Sequence, residues 1–428
     1  MTSDAFLVRD SGPLHGEVVT GGAKNSALKL VAAALLAEGR SVIENVPEID
    51  DIAAMADVAV ALGAEVSRPE PHTIVLDVPP RLEVVTHPNL VGRLRASIVV
   101  LGPLLAREGR ARLAMPGGCN LGNRSIDLHL AGLAKLGAEI SYGADAIEAR
   151  VDGRLRGADI ELPFASVGAT ENLLQAAVTA RGVTRISNAA REPEISDLAA
   201  FLRAMGGDIQ GDGTSEIVVR GVDALAPAHH RVIGDRIEAG TFAVGAALTG
   251  GDVHITDVDP SHLHLPLEKL SQMGADVFAT DRGFRVRGTG GLRALDIVTL
   301  PYPGFPTDLQ PQFLALLSQA QGTAIVTENV FDGRFSIVSE LERLGAEIEL
   351  QAHHAVVRGP RALSGAIVAA TDLRAGAALV LAGLAAEGTT VVQEARHVDR
   401  GYADLAARLT ALGADVERRV DDRVAVSS

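Results

Sequence analysis

The hexapeptide ALGAEV, residues 61–66, returns five times along the chain: as KLGAEI from 135, AMGGDI from 204, QMGADV from 272, RLGAEI from 343 and ALGADV from 411. Its first glycines are Gly63, Gly137, Gly206, Gly274, Gly345 and Gly413, at intervals of 74, 69, 68, 71 and 68 residues. A second series runs in step: AEGRSVIENV, REGRARLAM, ARGVTRISNA, TGGDVHITDV, QGTAIVTENV and AEGTTVVQEA, with glycines at 39, 109, 182, 251, 322 and 388. Ala/Leu-rich stretches of helical spacing precede both series, and glycine ends a helix by adopting the left-handed conformation. Short runs rich in Val, Ile and Thr follow, which read as strands. Each unit is therefore helix, strand, helix, strand, with extra strands between.

A period near 70 residues is too long for a common solenoid. The expected fold class is α/β: a two-lobed inside-out α/β barrel of six repeats, three per lobe. Helices that are apolar nearly all round belong inside, with sheets outside. Pro, paired His and Gly in LAPAHHRVIGDRIEAG mark one crossing between lobes near 230–234. The strand AFLVRDSGPLHGEVV precedes the first unit and can pair with the last, which puts the second crossing near 20–22. The expected lobes are 1–21 plus 234–428, and 22–233. Two crossings make a hinge, and ligands bind in such clefts.

Apolar residues make up 47% of the chain, enough for full cores, but aromatics only 3%, so the core must be built from Ala, Val, Leu and Ile. One cysteine forms no internal disulfide, which fits a reducing compartment. No leader segment and no apolar run long enough to span a bilayer is visible, so a cytoplasmic protein without membrane insertion is expected. The formal net charge of -15 argues against nucleic-acid binding, which needs a basic face. Small anions remain possible ligands where cations cluster locally.

Lysine is rare: Lys24, Lys29, Lys135 and Lys269 stand against 35 arginines. Lys24 opens a helix in GGAKNSALKL, where backbone N–H groups favour anions; taken alone, a solvated lysine is an equal reading. Arg93, Arg95, Arg334, Arg374, Arg396 and Arg400 lie near helix starts, and guanidinium forks suit phosphate and carboxylate. Helix caps and surface pairs explain any one of them equally well. Asp308 in YPGFPTDLQPQ reads first as a helix N-cap, or as a general base if it faces a hydroxyl. Histidines at 229–230, 262–264 and 353–354 lack a metal-ligand pattern and read as structural or exposed. Cys119 sits in AMPGGCNLGNRSIDLH. A lone cysteine is ordinarily a small hydrophobe, but this glycine-rich setting is poorly suited to burying one.

Together, GAKNSAL, RASI, LGPLLAR, PGGCNLGNRSIDLH, SVGATEN, NAAREPEI, DRIEAGTF, YPGFPTDLQPQ, TENVFDGRF, ATDLRAGAALVLAG and HVDRGY resemble the UDP-N-acetylglucosamine 1-carboxyvinyltransferase family, in order and nearly end to end. The family fold is two lobes of three repeats with buried helices. The resemblance implies that Cys119 is the loop cysteine that acts on phosphoenolpyruvate and is alkylated by the epoxide fosfomycin. It implies that Lys24, Arg95, Arg124, Arg374 and Arg400, with Arg334 nearby, grip phosphate and carboxylate. Asn25 and Asp308 would hold the sugar, Asp308 beside the attacking hydroxyl. Arg124, Ser125, Ile126, Asp127, Leu128 and His129, with Ser166, Val167 and Gly168, would hold the uridine diphosphate. Val330 and Asp372 complete the implied substrate contacts, and the resemblance implies neither a metal nor an organic cofactor.

Two positions depart from the family pattern. The proline that usually follows the loop arginine is Ser125 here, and Phe164 stands where some members carry lysine. Both lie on the acceptor side, so a related enzyme acting on another uridine nucleotide, such as uridine monophosphate, is the alternative. The shikimate-pathway transferase shares the fold but lacks the loop cysteine. RNA 3′-phosphate cyclase shares the repeat but is disfavoured by the acidic balance, and a silent repeat scaffold by intact Cys119, Lys24 and Arg400.

Overall fold

A computed structural model describes residues 4–86, 88–91, 94–114, 126–143 and 146–420. All six glycines of the LGA series have positive φ, from 97° at Gly137 to 109° at Gly274. After each, the next amide reaches back to the carbonyl five residues earlier, as from Ala64 to Ala59 at 3.1 Å, Gly207 to Leu202 at 2.8 Å and Ala414 to Leu409 at 3.0 Å. This is the Schellman closure, which satisfies helix-end carbonyls and needs the left-handed residue. The Leu or Met before each glycine is core, at most 2% exposed. The recurring hexapeptide is thus a helix stop welded to a core anchor and the next strand.

The second glycine series is less uniform. Gly39, Gly109, Gly182, Gly322 and Gly388 have positive φ, but in the fourth repeat Gly250, not Gly251, takes the left-handed conformation. Gly251 instead lies against backbone, where a Cβ would come 2.2 Å from the Leu14 carbonyl oxygen. Only Gly109 and Gly250 cap their helices directly.

The first helix of each repeat forms the interior. These are α1 (Lys24–Ala34), α2 (Leu101–Glu108), α3 (Val167–Ala177), α4 (Arg236–Thr249), α5 (Gln310–Leu317) and α6 (Leu373–Leu384). Every residue of α5 and α6 is buried, and on α1 every residue but Asn25. The expectation of all-round burial fails for the second helices. Helix His264–Met273 buries only Pro266, Leu267, Leu270 and Met273, the stripe its 3.6-residue period supplies.

The sheets repeat one pattern. In the first repeat, strand Gly39–Glu44 lies between a parallel strand, His229–Arg231, and an antiparallel one, Ile74–Val78, which also pairs with Glu65–Ser67. The same order recurs around Val183–Ser187, Asp252–Thr256 and Gly322–Thr327. In the sixth repeat the N-terminal strand Ala5–Arg9 fills the inner place between Thr389–Gln393 and Asp415–Arg419. The stretch from 5 to 19 is two strands rather than one. A turn with Gly12 at φ 69° and Pro13 breaks it, and His15–Val19 pairs in parallel with Asp252–Thr256 of the fourth repeat.

The described residues form two compact units, 22–114 with 126–233, and 4–21 with 234–420. Gly22, in the first of these, is seated so that a Cβ would lie 1.6 Å from the Asn45 carbonyl oxygen. Gly234, in the other, would place one 2.0 Å from that of Asp257. Asn45 and Asp257 both have positive φ, 57° and 60°. Backbone packs on backbone at both crossings, and no side chain fits.

Candidate active site

In the unit built on α4, α5 and α6, the buried helices bring polar first turns together. Asp308 lies in the 3-10 turn Thr307–Leu309 ahead of α5, inside the turn and not at its N-cap, which is Pro306. Its carboxylate instead accepts from Arg334 Nη2 at 2.7 Å and Arg374 Nη2 at 3.1 Å. Both arginines are 2% exposed or less. Asp372 is the N-cap of α6, accepting from the Arg374 and Ala375 amides at 2.7 and 3.2 Å. The same carboxylate lies 3.8 Å from Arg334 Nη1.

Glu328 holds this arrangement from behind. It is 2% exposed and accepts from Thr299 Oγ1, Thr307 Oγ1 and the amides of Val330 and Phe331, all within 3.0 Å. Thr307 Oγ1 in turn accepts from Arg334 Nε at 3.2 Å. The Arg374 guanidinium carbon lies 5.3 Å from the centroid of the buried Tyr402 ring, whose hydroxyl is 2.9 Å from Thr241 Oγ1. Burial raises the Tyr402 pKa, so the phenol is neutral. Burial also works against the Arg374 charge, but Tyr402, Asp308 and Asp235 hold it on. Nε and Nη1 of Arg374 are buried and meet no hydrogen-bond acceptor among the described residues. Each such donor costs about 1–3 kcal/mol, and an anion would satisfy it. Arg400 follows helix Arg396–Asp399 as its C-cap. Burial lowers the His397 pKa, and the charges of Arg400 and Arg396 add to this, so the cation beside it is arginine.

In the unit built on α1, α2 and α3, Lys24 is not solvated. It is 6% exposed, with Nζ 2.7 Å from Asp51 Oδ2. Asn25 is the one residue of α1 that is not buried. One turn on, Lys29 Nζ donates to the Asn25 carbonyl at 2.8 Å and lies 3.1 Å from Glu171 Oε2 on α3. Burial raises the Glu171 pKa to about 7, with Lys29 opposing and Glu194 and Glu192 adding to the rise. The folded state therefore binds more protons than the unfolded one between the ordinary value of 4.5 and about 7. Stability contributed by this group falls as pH rises through that window, by about 3 kcal/mol. Chemical denaturation of Glu171→Gln between these pH values is expected to show a flatter profile than the wild type. Identical slopes would mean that Glu171 does not titrate there.

The candidate nucleotide residues divide. Ser166 caps α3, accepting from the Ala169 amide at 3.3 Å. Ile126 precedes helix Asp127–Lys135, in which Asp127 is exposed and His129 buried. The His129 ring fills the space a side chain at Gly168 would need, since a Cβ there would lie 3.1 Å from its Cε1 and Nε2. His129 and Gly168 thus meet. The backbone of Arg95 opens the 3-10 segment Arg95–Val100 ahead of α2. Cys119, Arg124 and Ser125 lie outside the described residues.

Sequence reading overlooked Glu171, Asn172, Glu328 and Tyr402, all buried. Their signal was available in part: a charged or amide side chain inside an otherwise apolar helix, as in ENLLQAAV, has to be hydrogen-bonded. The histidines pair with neighbours, as His229 with Glu44 at 2.8 Å and His353 with His354 at 4.0 Å between ring centroids. No group of His, Cys, Asp and Glu suited to a metal occurs among the described residues.

A family profile described as EPSP synthase (3-phosphoshikimate 1-carboxyvinyltransferase) matches residues 8–409. The UDP-N-acetylglucosamine 1-carboxyvinyltransferase of Corynebacterium efficiens is 51% identical over 97% of this chain and 99% of its own. That of Mycobacterium tuberculosis is 50% identical with the same coverage. Among solved structures, the enolpyruvyl transferase NikO from Streptomyces tendae aligns with TM-score 0.88 at 28% identity, over 98% of this chain and 100% of that one. EPSP synthase from Acinetobacter baumannii, at 19% identity and TM-score 0.76 over 96% of this chain and 99% of that one, shares the fold. With half its residues shared along almost its whole length, the chain belongs to the UDP-N-acetylglucosamine 1-carboxyvinyltransferases, inside-out α/β enzymes of the EPSP synthase family.

Proposed function

We propose that this protein transfers the enolpyruvyl group of phosphoenolpyruvate to the 3-hydroxyl of UDP-N-acetylglucosamine, the committing step of peptidoglycan synthesis, in the cytoplasm. The hydroxyl oxygen adds to C2 while C3 takes a proton. Loss of that C3 proton and of phosphate from the tetrahedral adduct restores the double bond. Asp308 accepts the hydroxyl proton, and Cys119 serves C3 as proton donor and can bond C2 covalently. Lys24, Arg95, Arg124, Arg374 and Arg400 hold the phosphate and carboxylate. Asn25 binds the sugar, and residues 124–129 with 166–168 the uridine diphosphate.

The observation that carries this reading is Asp308 held between two buried guanidinium groups, one with unsatisfied N–H donors. A base placed against a ready anion site is what joining a hydroxyl to phosphoenolpyruvate requires. No helix among the described residues is long and apolar enough to cross a membrane. Ser125 and the 42% exposure of Phe164 motivate a second acceptor, uridine monophosphate. The higher identity to the UDP-N-acetylglucosamine enzymes, 51% against 28% for NikO, favours the first. Phosphate release with each acceptor decides between them. A higher kcat/KM is expected for UDP-N-acetylglucosamine, and a higher value for uridine monophosphate would replace the acceptor while leaving the chemistry.

A further inference from the structure

Asn172 is fully buried on α3, and every polar atom of its side chain is used. Oδ1 accepts from the Gly102 amide at 2.7 Å, while Nδ2 donates to the Ile98 carbonyl at 3.1 Å and lies 3.1 Å from His129 Nδ1. Backbone fixes the amide's orientation from both sides: the Gly102 N–H can only donate, and the Ile98 carbonyl can only accept. Nδ2 therefore presents a proton to His129 Nδ1, which must accept it. A neutral ring bonded this way carries its own proton on Nε2, and a second proton on Nδ1 would face an N–H donor. The Nε2 edge is the one against Gly168.

We propose that Asn172 is a positioning residue of the nucleotide subsite: it locks His129 as the neutral Nε2–H tautomer at residues 166–168, and by the same amide fastens that ring to the segment bearing Arg95. The subsite rests on the functional reading above, but the tautomer does not. A neutral donor there suits an oxygen acceptor of the nucleotide and keeps acceptor binding insensitive to pH near neutrality. The charged residues on the elements meeting at the ring are Asp127 and Lys135 on its own helix, Glu171 on α3, Arg95 on the 3-10 segment, and Arg107 and Glu108 at the far end of α2. On Nδ1 itself, a second proton would face the Asn172 amide donor.

The test is nitrogen NMR of protein labelled with 15N-histidine, with the His129 signals assigned by their loss in His129→Gln. The expected result is a neutral Nε2–H pattern from about pH 6 to 8. An Nδ1–H pattern, or titration across this range, would overturn the proposal, and neither measurement needs a substrate. Asn172→Asp offers Nδ1 an acceptor and is expected to turn His129 into an imidazolium at neutral pH. That variant is also expected to raise the acceptor KM about tenfold with kcat within about twofold. An unchanged tautomer and acceptor KM in a folded Asn172→Asp protein would equally count against it. If that variant does not fold, the wild-type tautomer decides alone. Failure of the wild type to use either uridine acceptor would remove the subsite reading and leave the tautomer standing.

Discussion

Asp308→Asn is expected to lower kcat for phosphate release by roughly 10³-fold, with a partial loss of folding stability. Asparagine preserves the size of the side chain and an acceptor for one guanidinium, but it turns an N–H group on the other, since the bonds at 2.7 and 3.1 Å go to different carboxylate oxygens, and it cannot take the proton of an attacking hydroxyl. Asp308→Ala is expected to lose the same activity and, in addition, about 3–5 kcal/mol of stability, because it leaves Arg334 and Arg374 as buried charges with a missing partner. Arg334 keeps Asp372 at 3.8 Å, which places the loss nearer the lower figure. Urea denaturation reads the second effect independently of the first. A kcat near wild type in Asp308→Asn would remove the base assignment, and an undiminished midpoint in Asp308→Ala would remove the buried-charge account.

Cys119→Ala is expected to abolish phosphate release while leaving the denaturation midpoint unmoved, since a glycine-rich loop thiol adds little packing. The chain's single cysteine makes the companion experiment unambiguous. Fosfomycin in the presence of UDP-N-acetylglucosamine is expected to add one adduct to the wild type and none to the variant. On the function proposed above, the guanidinium groups that hold phosphoenolpyruvate would favour the thiolate that such alkylation needs. Mass spectrometry finding an unmodified wild type, or turnover surviving in the alanine variant, would end the catalytic assignment of Cys119.

The repeat and the helix stops of its LGA series were legible in the chain. A Schellman closure is decided by six consecutive residues, here 59–64, so the hexapeptide at 61–66 and its five relatives, with the helix residues just before them, carry the instruction locally: a core Leu or Met, a left-handed glycine, a small residue, then a strand. Apolar composition likewise announced that α5 and α6 are buried on every side. The ordered motifs were enough to reach the family. Partner choice was not legible. Asp308 reads as a helix cap and is instead clamped by arginines 26 and 66 residues away. Lys24 reads equally as a surface cation and is buried on Asp51. Asn172 joins segments 43 and 70 residues away from it, and the N-terminal stretch splits its strands between the fourth and sixth repeats. Conformation at a helix end is set by neighbours in sequence, whose sterics and hydrogen bonds the chain spells out. A buried ion pair or amide network is set by which helices the topology packs together, and the identity of each partner exists only once the core has closed around it.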